Sequence, residues 1–360
     1  MIDKQKVTWI PAHPSNGALS MQRYWGFLEK VKVDGRYECD SVIPPSDLNL
    51  NPKSKAVKLW FRKFRYPQII GENNTGSIVH VLDHSWADML KSVSSNAKKV
   101  VTVHDLIPLR YQGELSKSQL RRFKSWVAHL KNADALIAVS EYTKHEIHDL
   151  LGIDLNRIFV VPNGVENCES STISIPFEEL VPKKNELRVG SIGSTQMRKN
   201  LELLPTAFDK YQDLNGREIK FVRAGRLLSQ DTLANLCEVL GTENVVELGV
   251  LSDEDIERFY SSIDVLVIPS LYEGFGLPVL EAMARGVPVI SANSSSLPEV
   301  GGEAALYFDP SEPDHLAVRL MDMNNEQLVE HLKSAGRLRA ENYSWEKCLS
   351  KIYEVYDQIL

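Results

Sequence analysis

The chain lacks any apolar run as long as the roughly 18 residues that a membrane-spanning helix needs. Its first residues, Met1-Ile-Asp-Lys-Gln-Lys6, also lack the apolar core of a signal peptide. Cations are not in excess, since 41 Lys and Arg stand against 48 Asp and Glu and the formal net charge is −7. The sequence therefore predicts a cytoplasmic protein and argues against a general nucleic-acid binder, which would carry a basic domain.

Cysteine is scarce. The four cysteines, Cys39, Cys168, Cys237 and Cys348, are widely separated, and none forms a C-x-x-C pair. No histidine cluster has the spacing of a zinc site. We expect buried or incidental thiols, with no disulfide and no structural metal.

A Gly-x-Gly-x-x-Gly dinucleotide signature is also absent, because Gly190 and Gly193 alone do not make it. The length of 360 residues suits two domains, and 43% apolar and 25% charged residues are ordinary proportions. Short apolar runs alternate with helical periods in both halves, which predicts parallel, doubly wound α/β sheets. The main predicted strands are 7–10, 78–82, 100–103, 135–139, 159–161, 187–192, 219–224, 245–248, 265–268 and 287–291. The main predicted helices are 19–31, 142–151, 200–211, 229–240, 253–261, one from Val279, and 345–360.

The most informative segment is 273–281, Glu-Gly-Phe-Gly-Leu-Pro-Val-Leu-Glu, between an apolar strand and a predicted helix. Its glycines let a ligand approach the backbone closely. Pro278 suits the first helical position, where its missing N–H costs nothing. The free N–H groups at the start of that helix favour an anion above the strand end.

Two carboxylates frame this segment. Glu273 in the turn can accept hydrogen bonds from sugar hydroxyls, and Glu281, about one turn into the helix, can accept a pair from a ribose. The layout suits a ligand with hydroxyls at both ends and phosphate between them, which is the shape of a nucleotide-sugar. Such a glutamate pair also occurs as solvated helix charges, but the glycines, the proline and the strand-to-helix context favour a functional role.

Arg198 and Lys199 stand where another predicted strand turns into a helix. A planar fork and a point charge both suit phosphate, and positive charge near a departing diphosphate stabilises it. The alternative is a solvated Arg-Lys pair. Because cations at a helix start oppose the helix dipole, the placement favours a phosphate-binding role.

The 273–281 segment resembles the E-x7-E element of retaining glycosyltransferases of family 4. Five other segments resemble motifs of that family and follow in its order. They are Val-His-Asp-Leu-Ile-Pro at 103–108, Ala-Val-Ser-Glu-Tyr-Thr-Lys at 138–144, Val-Val-Pro-Asn-Gly-Val at 160–165, Ser-Ile-Gly-Ser-Thr-Gln-Met-Arg-Lys-Asn-Leu at 191–201 and Leu-Tyr-Phe-Asp-Pro at 306–310. Six motifs in order make a specific signal.

The resemblance implies the GT-B fold, with two Rossmann-like, doubly wound parallel-sheet domains facing across a cleft. We expect an acceptor-side domain at 1–170, a linker at 171–186 and a nucleotide-sugar-binding domain at 187–342. In this fold the C-terminal helix, here 343–360, crosses back to the first domain.

The resemblance also implies roles for single residues. Lys199 would be the principal diphosphate ligand, with Arg198 beside it, and the backbone at Gly249 and Val250 would meet the nucleobase. The implied donor-binding residues are Gly17, Gly193, Arg198, Lys199, Gly249, Val250, Glu273, Gly274, Phe275, Gly276, Leu277 and Glu281. The implied catalytic residues are His104, Lys199 and Glu273.

Two of these assignments have strong alternatives. His104 would face the reacting sugar, but it is as well explained as a histidine held structurally by Asp105. Gly17 matches a family loop that approaches the donor phosphate and the acceptor, although one glycine stands here where the family has a pair. A simple turn glycine explains Gly17 equally well.

The family needs neither a metal nor a cofactor, and the sequence has no convincing Asp-x-Asp. No covalent nucleophile is evident, so we expect front-face transfer with retention, in which the departing phosphate accepts the acceptor's proton. The predicted activity is transfer of a hexose from a nucleotide-diphosphate sugar, GDP-mannose or a UDP-sugar, to a glycan or lipid-linked acceptor in surface polysaccharide or glycolipid assembly. A storage-glucan- or sucrose-synthase-like transferase and a catalytically idle nucleotide-sugar sensor or assembly subunit are the alternatives.

The segment from Lys53 to Tyr66 mixes six cations with aromatic residues and has no acidic residue. A basic amphipathic helix of this kind can lie on anionic lipid, which would place the protein peripherally on the inner face of the plasma membrane. The alternative is a solvated helix whose aromatic residues fill the core of the N-terminal domain.

Overall fold

The computed structural model describes residues 5–12, 19–32, 36–42, 60–73, 76–166, 177, 180, 183, 185–215 and 217–360. The chain forms two compact units, Met1–Gly164 with Trp345–Leu360, and Val165–Ser344. Each unit contains one six-stranded parallel sheet with helices. The predicted α/β class with two doubly wound parallel sheets is confirmed.

In the first unit the strand order is β2-β1-β3-β4-β5-β6. The strands are β1 Gln5–Ile10, β2 Tyr37–Ser41, β3 Ile78–Val81, β4 Lys98–Val103, β5 Ala135–Ala138 and β6 Ile158–Val160. The α-helices are α1 Leu19–Val31, α2 Tyr66–Asn73, α3 Ile107–Arg110, α4 Lys117–Val127 and α5 Glu141–Leu151. A π-helix, Phe61–Arg65, precedes α2, and 3-10 segments lie at His84–Ser92, Gln112–Glu114, Ala128–Asn132 and Leu155–Arg157.

In the second unit the order is β12-β11-β10-β7-β8-β9. The strands are β7 Glu186–Gly193, β8 Glu218–Gly225, β9 Val245–Gly249, β10 Val265–Ile268, β11 Val289–Ala292 and β12 Leu306–Phe308. The α-helices are α6 Leu204–Asn215, α7 Gln230–Leu240, α8 Asp253–Ser261, α9 Leu277–Ala284, α10 Leu297–Gly301, α11 Pro313–Met321 and α12 Glu326–Ala340. The 3-10 segments are Met197–Lys199, Leu201–Leu203, Thr242–Asn244, Gly302–Ala304 and Asp322–Asn324.

Local sequence chemistry sets the ends of several helices. The hydroxyls of Ser140, Ser229 and Ser252 accept backbone N–H bonds at the starts of α5, α7 and α8, as N-caps do. Two predicted starts are wrong. The helix expected over 200–211 is Leu204–Asn215, because Asn200 takes a left-handed φ of 53° and separates two 3-10 turns. The helix expected from Val279 already begins at Leu277.

The last helix, α13 Trp345–Ile359, belongs to the first unit, as the fold class predicted. The ring of Trp345 stacks on Phe27 of α1 at 4.7 Å between centroids. Ile352 and Tyr356, both fully buried, pack in the cluster that covers one face of the first sheet. Burial of this apolar face is what holds the helix there. The domain boundaries and the linker at 171–186 remain predictions, since most of the linker lies outside the described residues.

Three features bear on the predicted absences. Cys39, Cys237 and Cys348 are free thiols, and Cys168 lies outside the described residues. Within the described ranges no cluster of His, Cys, Asp and Glu could hold a metal ion. In the same ranges no helix combines the length and the apolar character needed to cross a bilayer.

A buried polar network ties α13 to the first sheet. Nδ1 of His80 lies 2.6 Å from the hydroxyl of Tyr356, and Nε2 lies 2.8 Å from Oγ1 of Thr102. The indole of Trp9 donates to the same tyrosine oxygen at 3.1 Å. Burial, with a smaller effect from His104, lowers the pKa of His80 to about 3, so the ring is neutral when the unit is folded.

This network predicts acid sensitivity. In the unfolded chain His80 has an ordinary pKa of about 6.5, whereas in the folded unit its pKa is about 3. The unfolded chain therefore binds a proton that the folded unit excludes. As a result, the contribution of His80 to the free energy of unfolding falls as pH drops from about 6.5 toward about 3. Between about pH 7 and about pH 5 the loss from this one group is about 2 kcal/mol of unfolding free energy. We expect His80→Gln to be less stable at neutral pH but to lose about 2 kcal/mol less on acidification.

Urea unfolding followed by tryptophan fluorescence measures this, because all six tryptophans lie in the first unit. His145→Gln, at an exposed histidine, is the control and should keep the wild-type pH dependence. Equal pH dependence in the wild type and His80→Gln would contradict the assignment.

Candidate functional site

Two neighbouring strands of the second sheet bring the main predicted residues together. Val265 of β10 pairs with Val189 of β7, and the strands are parallel, so they end at the same edge of the sheet. The loop after β7 carries Arg198 and Lys199, and the loop after β10 carries Glu273. Ligands of open α/β sheets bind at this edge.

Glu273 is the centre of a partly buried ion pair. Its Oε1 lies 2.5 Å from Nζ of Lys199 and accepts a hydrogen bond of 2.7 Å from Ser270, while Oε2 lies 3.7 Å from Nη1 of Arg198. Burial raises the pKa of Glu273, but the two positive charges and the hydrogen bonds outweigh that effect and hold the pKa below its ordinary value. The carboxylate is therefore ionised at neutral pH and can accept hydrogen bonds from hydroxyls.

Arg198 also fixes the loop in which it lies. Its guanidinium donates to Oε1 of Gln196 at 2.7 Å and to the carbonyl of Tyr272 at 3.3 Å, and its own carbonyl accepts from the N–H of Leu271. The next residue but one, Asn200, donates to the carbonyl of Pro310 at 2.8 Å. The Arg-Lys-Asn motif thus combines a structural arginine and asparagine with the lysine that lines the cavity.

A serine-rich loop holds the turn after Glu273. The backbone N–H of Glu273 donates to Ser295 at 2.8 Å, and Ser296 donates to the carbonyls of Glu273 and Phe275 at 2.9 Å each. Gly276 takes a φ of 98°, which favours glycine, and a Cβ there would meet Leu297 at 2.9 Å. Gly276 is the N-cap of α9, which begins at Leu277 with Pro278 second, not first as predicted. At the start of α9, Pro278 has no N–H, and the N–H of Val279 donates to the carbonyl of Gly276 at 2.9 Å, so what this end offers an anion is the positive end of the helix dipole.

The cavity at this edge has thirteen lining residues. Predicted residues among them are Lys199, Glu273 and Gly276. Gly193 lies beside the cavity lysine, since a Cβ on it would be 3.8 Å from Nζ of Lys199. Sequence reasoning missed Ser194, Ser270 and Arg223. The charge of Arg223 inside a predicted strand was the available signal, although Lys220 lies in the same strand.

Other predicted donor residues lie elsewhere in the second unit. Glu281 accepts a hydrogen bond from the hydroxyl of Tyr260 at 3.0 Å and does not line the cavity. Gly249 ends β9 with a φ of 71°, and the side chain of Val250 after it is 75% exposed. The side chain of Phe275 is buried and meets Tyr343 edge-on, so only its backbone and that of Gly274 are placed in the turn.

His104 lies in the first unit, just after β4. Its Nε2 is 2.9 Å from the carbonyl oxygen of Leu82, and its ring meets Tyr24 edge-on at 4.8 Å. Burial lowers the pKa of His104, which keeps the ring neutral at pH 7. Oδ1 of Asp105 accepts from the N–H of Ile107 at 3.0 Å, and the charge of Asp105 acts against the lowering of the His104 pKa. The role at the reacting sugar and the alternative of a histidine held structurally by Asp105 both stay predictions. Gly17 lies outside the described residues.

The predicted basic surface is only partly a surface. Residues 53–59 lie outside the described residues, while Phe61 and Tyr66 are buried in the core. Arg62 is buried too, paired with Asp88 at 2.6 Å and sandwiched by the rings of Trp86 and Trp126 at 4.1 and 3.6 Å. The alternative, in which aromatic residues of this segment fill the core of the first unit, is therefore confirmed for Phe61 and Tyr66.

The chain matches the sequence models of two families, Glycosyltransferase Family 4 over residues 26–167 and Glycosyl transferases group 1 over residues 172–339. It is 30% identical over 269 residues to O-antigen chain mannosyltransferase B of Escherichia coli, covering 72% of this chain and 70% of that protein. It is 27% identical over 278 residues to the serotype-specific mannosyltransferase WbdA of Escherichia coli, covering 73% of this chain but 34% of that one.

Among solved structures, Anabaena Alr3699/HepE in complex with UDP and glucose superposes with a TM-score of 0.73 at 16% identity, covering 98% of this chain and 100% of that one. This likeness concerns the fold. The six ordered motifs, the parallel sheet in each unit and these matches agree. The chain belongs to the glycosyl transferases group 1, family 4, and is a glycosyltransferase of the GT-B fold.

Proposed function

We propose that this protein transfers a hexose from a nucleotide-diphosphate sugar to a hydroxyl of a glycan or lipid-linked acceptor, in the assembly of a surface polysaccharide or glycolipid. The observation that carries the proposal is the ionised, partly buried carboxylate of Glu273 held by Lys199 in a cavity beside the start of α9. A carboxylate beside an ammonium group suits a ligand that carries both hydroxyls and phosphates, because the carboxylate accepts from hydroxyls and the ammonium group attracts phosphate. The relatives named as mannosyltransferases support a hexose as the transferred group.

The residues divide the chemistry as follows. Lys199 stabilises the departing diphosphate, assisted by the positive end of the α9 helix dipole. Glu273 accepts hydrogen bonds from the sugar hydroxyls. Glu281 exchanges the hydroxyl of Tyr260 for those of the ribose, and the backbone at Gly249 and Val250 meets the nucleobase.

The first unit supplies the acceptor side. In this proposal the neutral ring of His104 hydrogen-bonds a donor hydroxyl, and Gly17 lies in the loop that approaches the phosphate. Transfer takes place on one face of the sugar, with the departing phosphate oxygen accepting the proton of the attacking hydroxyl. The new glycosidic bond forms as the bond to the diphosphate breaks, so no protein nucleophile is needed.

GDP-mannose is the leading donor, because two similar proteins are named mannosyltransferases. A UDP-sugar is the main competitor, since UDP and glucose accompany the structurally similar Alr3699/HepE. A thermal-shift screen with GDP, UDP and their sugars discriminates the two. The correct donor stabilises the native protein by mass action.

Lys199→Ala tests the leaving-group role. Loss of one electrostatic group of this kind lowers kcat by roughly 10²- to 10³-fold, and we expect that range for release of nucleoside diphosphate from the donor. Lys210→Ala is the matched control, because Lys210 pairs with Asp314 on the surface of the same unit. Turnover in Lys199→Ala equal to that in the control would overturn the role. Donor binding without turnover in the wild type would favour a nucleotide-sugar sensor instead.

Stereochemistry and metal dependence form a separate test. Proton NMR of the product should show the anomeric configuration of the donor sugar. EDTA should leave the rate unchanged, because Lys199, Arg198 and the helix start supply the positive field. An inverted product, or a rate abolished by EDTA and restored by a divalent cation, would contradict these two points.

We further propose that the first unit contacts anionic lipid through the exposed face of the π-helix Phe61–Arg65 and its neighbour Trp60. Trp60 and Phe64 are 51% and 56% exposed, and Lys63 between them is exposed. Arg121 and Arg122 on α4 add exposed positive charge in the same unit. Aromatic rings beside cations are suited to an anionic bilayer surface.

Co-sedimentation with phosphatidylglycerol-containing vesicles, compared with phosphatidylcholine alone, measures this contact. Trp60→Ala and Phe64→Ala should weaken binding, and Lys63→Ala should weaken it about fivefold, since one cation near the surface contributes about 1 kcal/mol. Leu338→Ala, at a 66% exposed leucine of the second unit, should bind as the wild type does. Failure of the wild type to bind anionic vesicles at low salt would refute the contact.

A further inference from the structure

Arg223 lies on β8, two residues before that strand ends at Gly225. Its side chain is 1% exposed, and it lines the same cavity as Lys199 and Glu273. No role in donor binding was expected for it from the sequence. A charged group this deeply buried needs a compensating partner.

The contacts of Arg223 leave one nitrogen of its guanidinium group without a hydrogen-bond partner among the described residues. Nη2 donates to the carbonyls of Gly193 and Ser194 at 2.7 and 2.8 Å. Nε has no hydrogen-bond partner among the described residues, and none of the ion pairs there includes Arg223. The carboxylate whose charge acts on it is Glu247, and Oε1 of that group accepts the backbone N–H of Leu228.

The charges around the cavity do not balance. Burial lowers the pKa of Arg223 to about 10, against the opposing effect of Glu247, so the guanidinium stays charged at neutral pH. Glu273 is the carboxylate that lines the cavity, and it already pairs with Lys199 and Arg198. A diphosphate carries a negative charge on each phosphate and would offset this excess.

We propose that Arg223 is a positioning residue of the donor site, which compensates the charge of the diphosphate and fixes the loop that binds it. The inference rests on the proposed function and adds a further cation, from β8, to Arg198 and Lys199 after β7. Arg223 holds the carbonyls of Gly193 and Ser194. In trans peptides the N–H groups of Ser194 and Thr195 then point away from the guanidinium.

Those two N–H groups donate to no acceptor in the described part of the chain. Ser194 lines the cavity. Because Arg223 holds the carbonyls of Gly193 and Ser194, the N–H groups of Ser194 and Thr195 are available to a phosphate oxygen. Successive backbone N–H groups of this kind form anion-binding concavities.

Calorimetric titration with UDP, GDP, uridine and guanosine tests the proposal. We expect the wild type to bind the matching diphosphate more tightly than its nucleoside. Arg223→Gln should lose about tenfold to about a hundredfold of that preference, the range for a charge-assisted hydrogen bond, with nucleoside affinity unchanged. Arg223→Lys should recover part of it because the charge is kept.

Arg188→Gln is the matched control. Arg188 is a buried arginine on the neighbouring strand β7, but it pairs with Asp264 at 2.5 Å and does not line the cavity. Its loss should lower the melting temperature and leave the preference for diphosphate intact. The proposal is wrong if Arg223→Gln keeps the wild-type preference, or if Arg188→Gln loses it equally.

Hydrogen exchange on the wild type gives a readout that needs no variant to fold. UDP or GDP should slow exchange at the amides of Ser194 and Thr195, and the nucleoside should not. Equal exchange with diphosphate and nucleoside would refute the loop's role. A wild type that binds neither nucleotide would instead refute the proposed function, so the two failures are distinguishable.

Discussion

The pair between Lys199 and Glu273 is the interaction on which the site depends. The two residues are far apart in the chain, and they meet because β7 and β10 are adjacent parallel strands whose loops leave the same edge of the sheet. The charge of Lys199 helps to keep the partly buried carboxylate of Glu273 ionised. Removal of Glu273 would leave Lys199 without the carboxylate with which it pairs, and removal of Lys199 would leave Glu273 with the more distant Arg198 at 3.7 Å; both changes are unfavourable.

Much of the fold could be predicted because its signals are local. Apolar runs such as that of β10 have the length of buried strands, and the serine caps mark helix starts. The strand β2 was missed because Tyr37–Ser41 alternates buried and exposed residues, with Glu38 and Asp40 on the exposed side. The start of α6 was misplaced because Asn200 has a left-handed conformation that composition does not reveal.

The site was predictable where one motif holds several functional groups, as at Glu273. It was not predictable where a partner comes from another strand or helix. Ser270 and Ser296 hold the turn through hydrogen bonds that only the fold creates. The hydroxyl of Tyr260, on the neighbouring helix α8, donates a hydrogen bond to Glu281. Arg223 was overlooked because a charged residue within its strand, which also contains Lys220, does not by itself indicate a site.

A comparison of two buried arginines, Arg62 and Arg223, distinguishes a charge that stabilises the fold from one that we propose to act on a ligand. Arg62 belonged to the segment that looked most like a binding surface, yet Asp88 and two indole rings satisfy it within the first unit. Arg223 looked unremarkable in sequence, yet its Nε has no partner among the described residues and its cavity contains more cation than anion. A buried cation whose charge is met by the protein stabilises the fold. One whose charge is only partly met is placed to bind an anion, and a sugar-linked diphosphate supplies that charge.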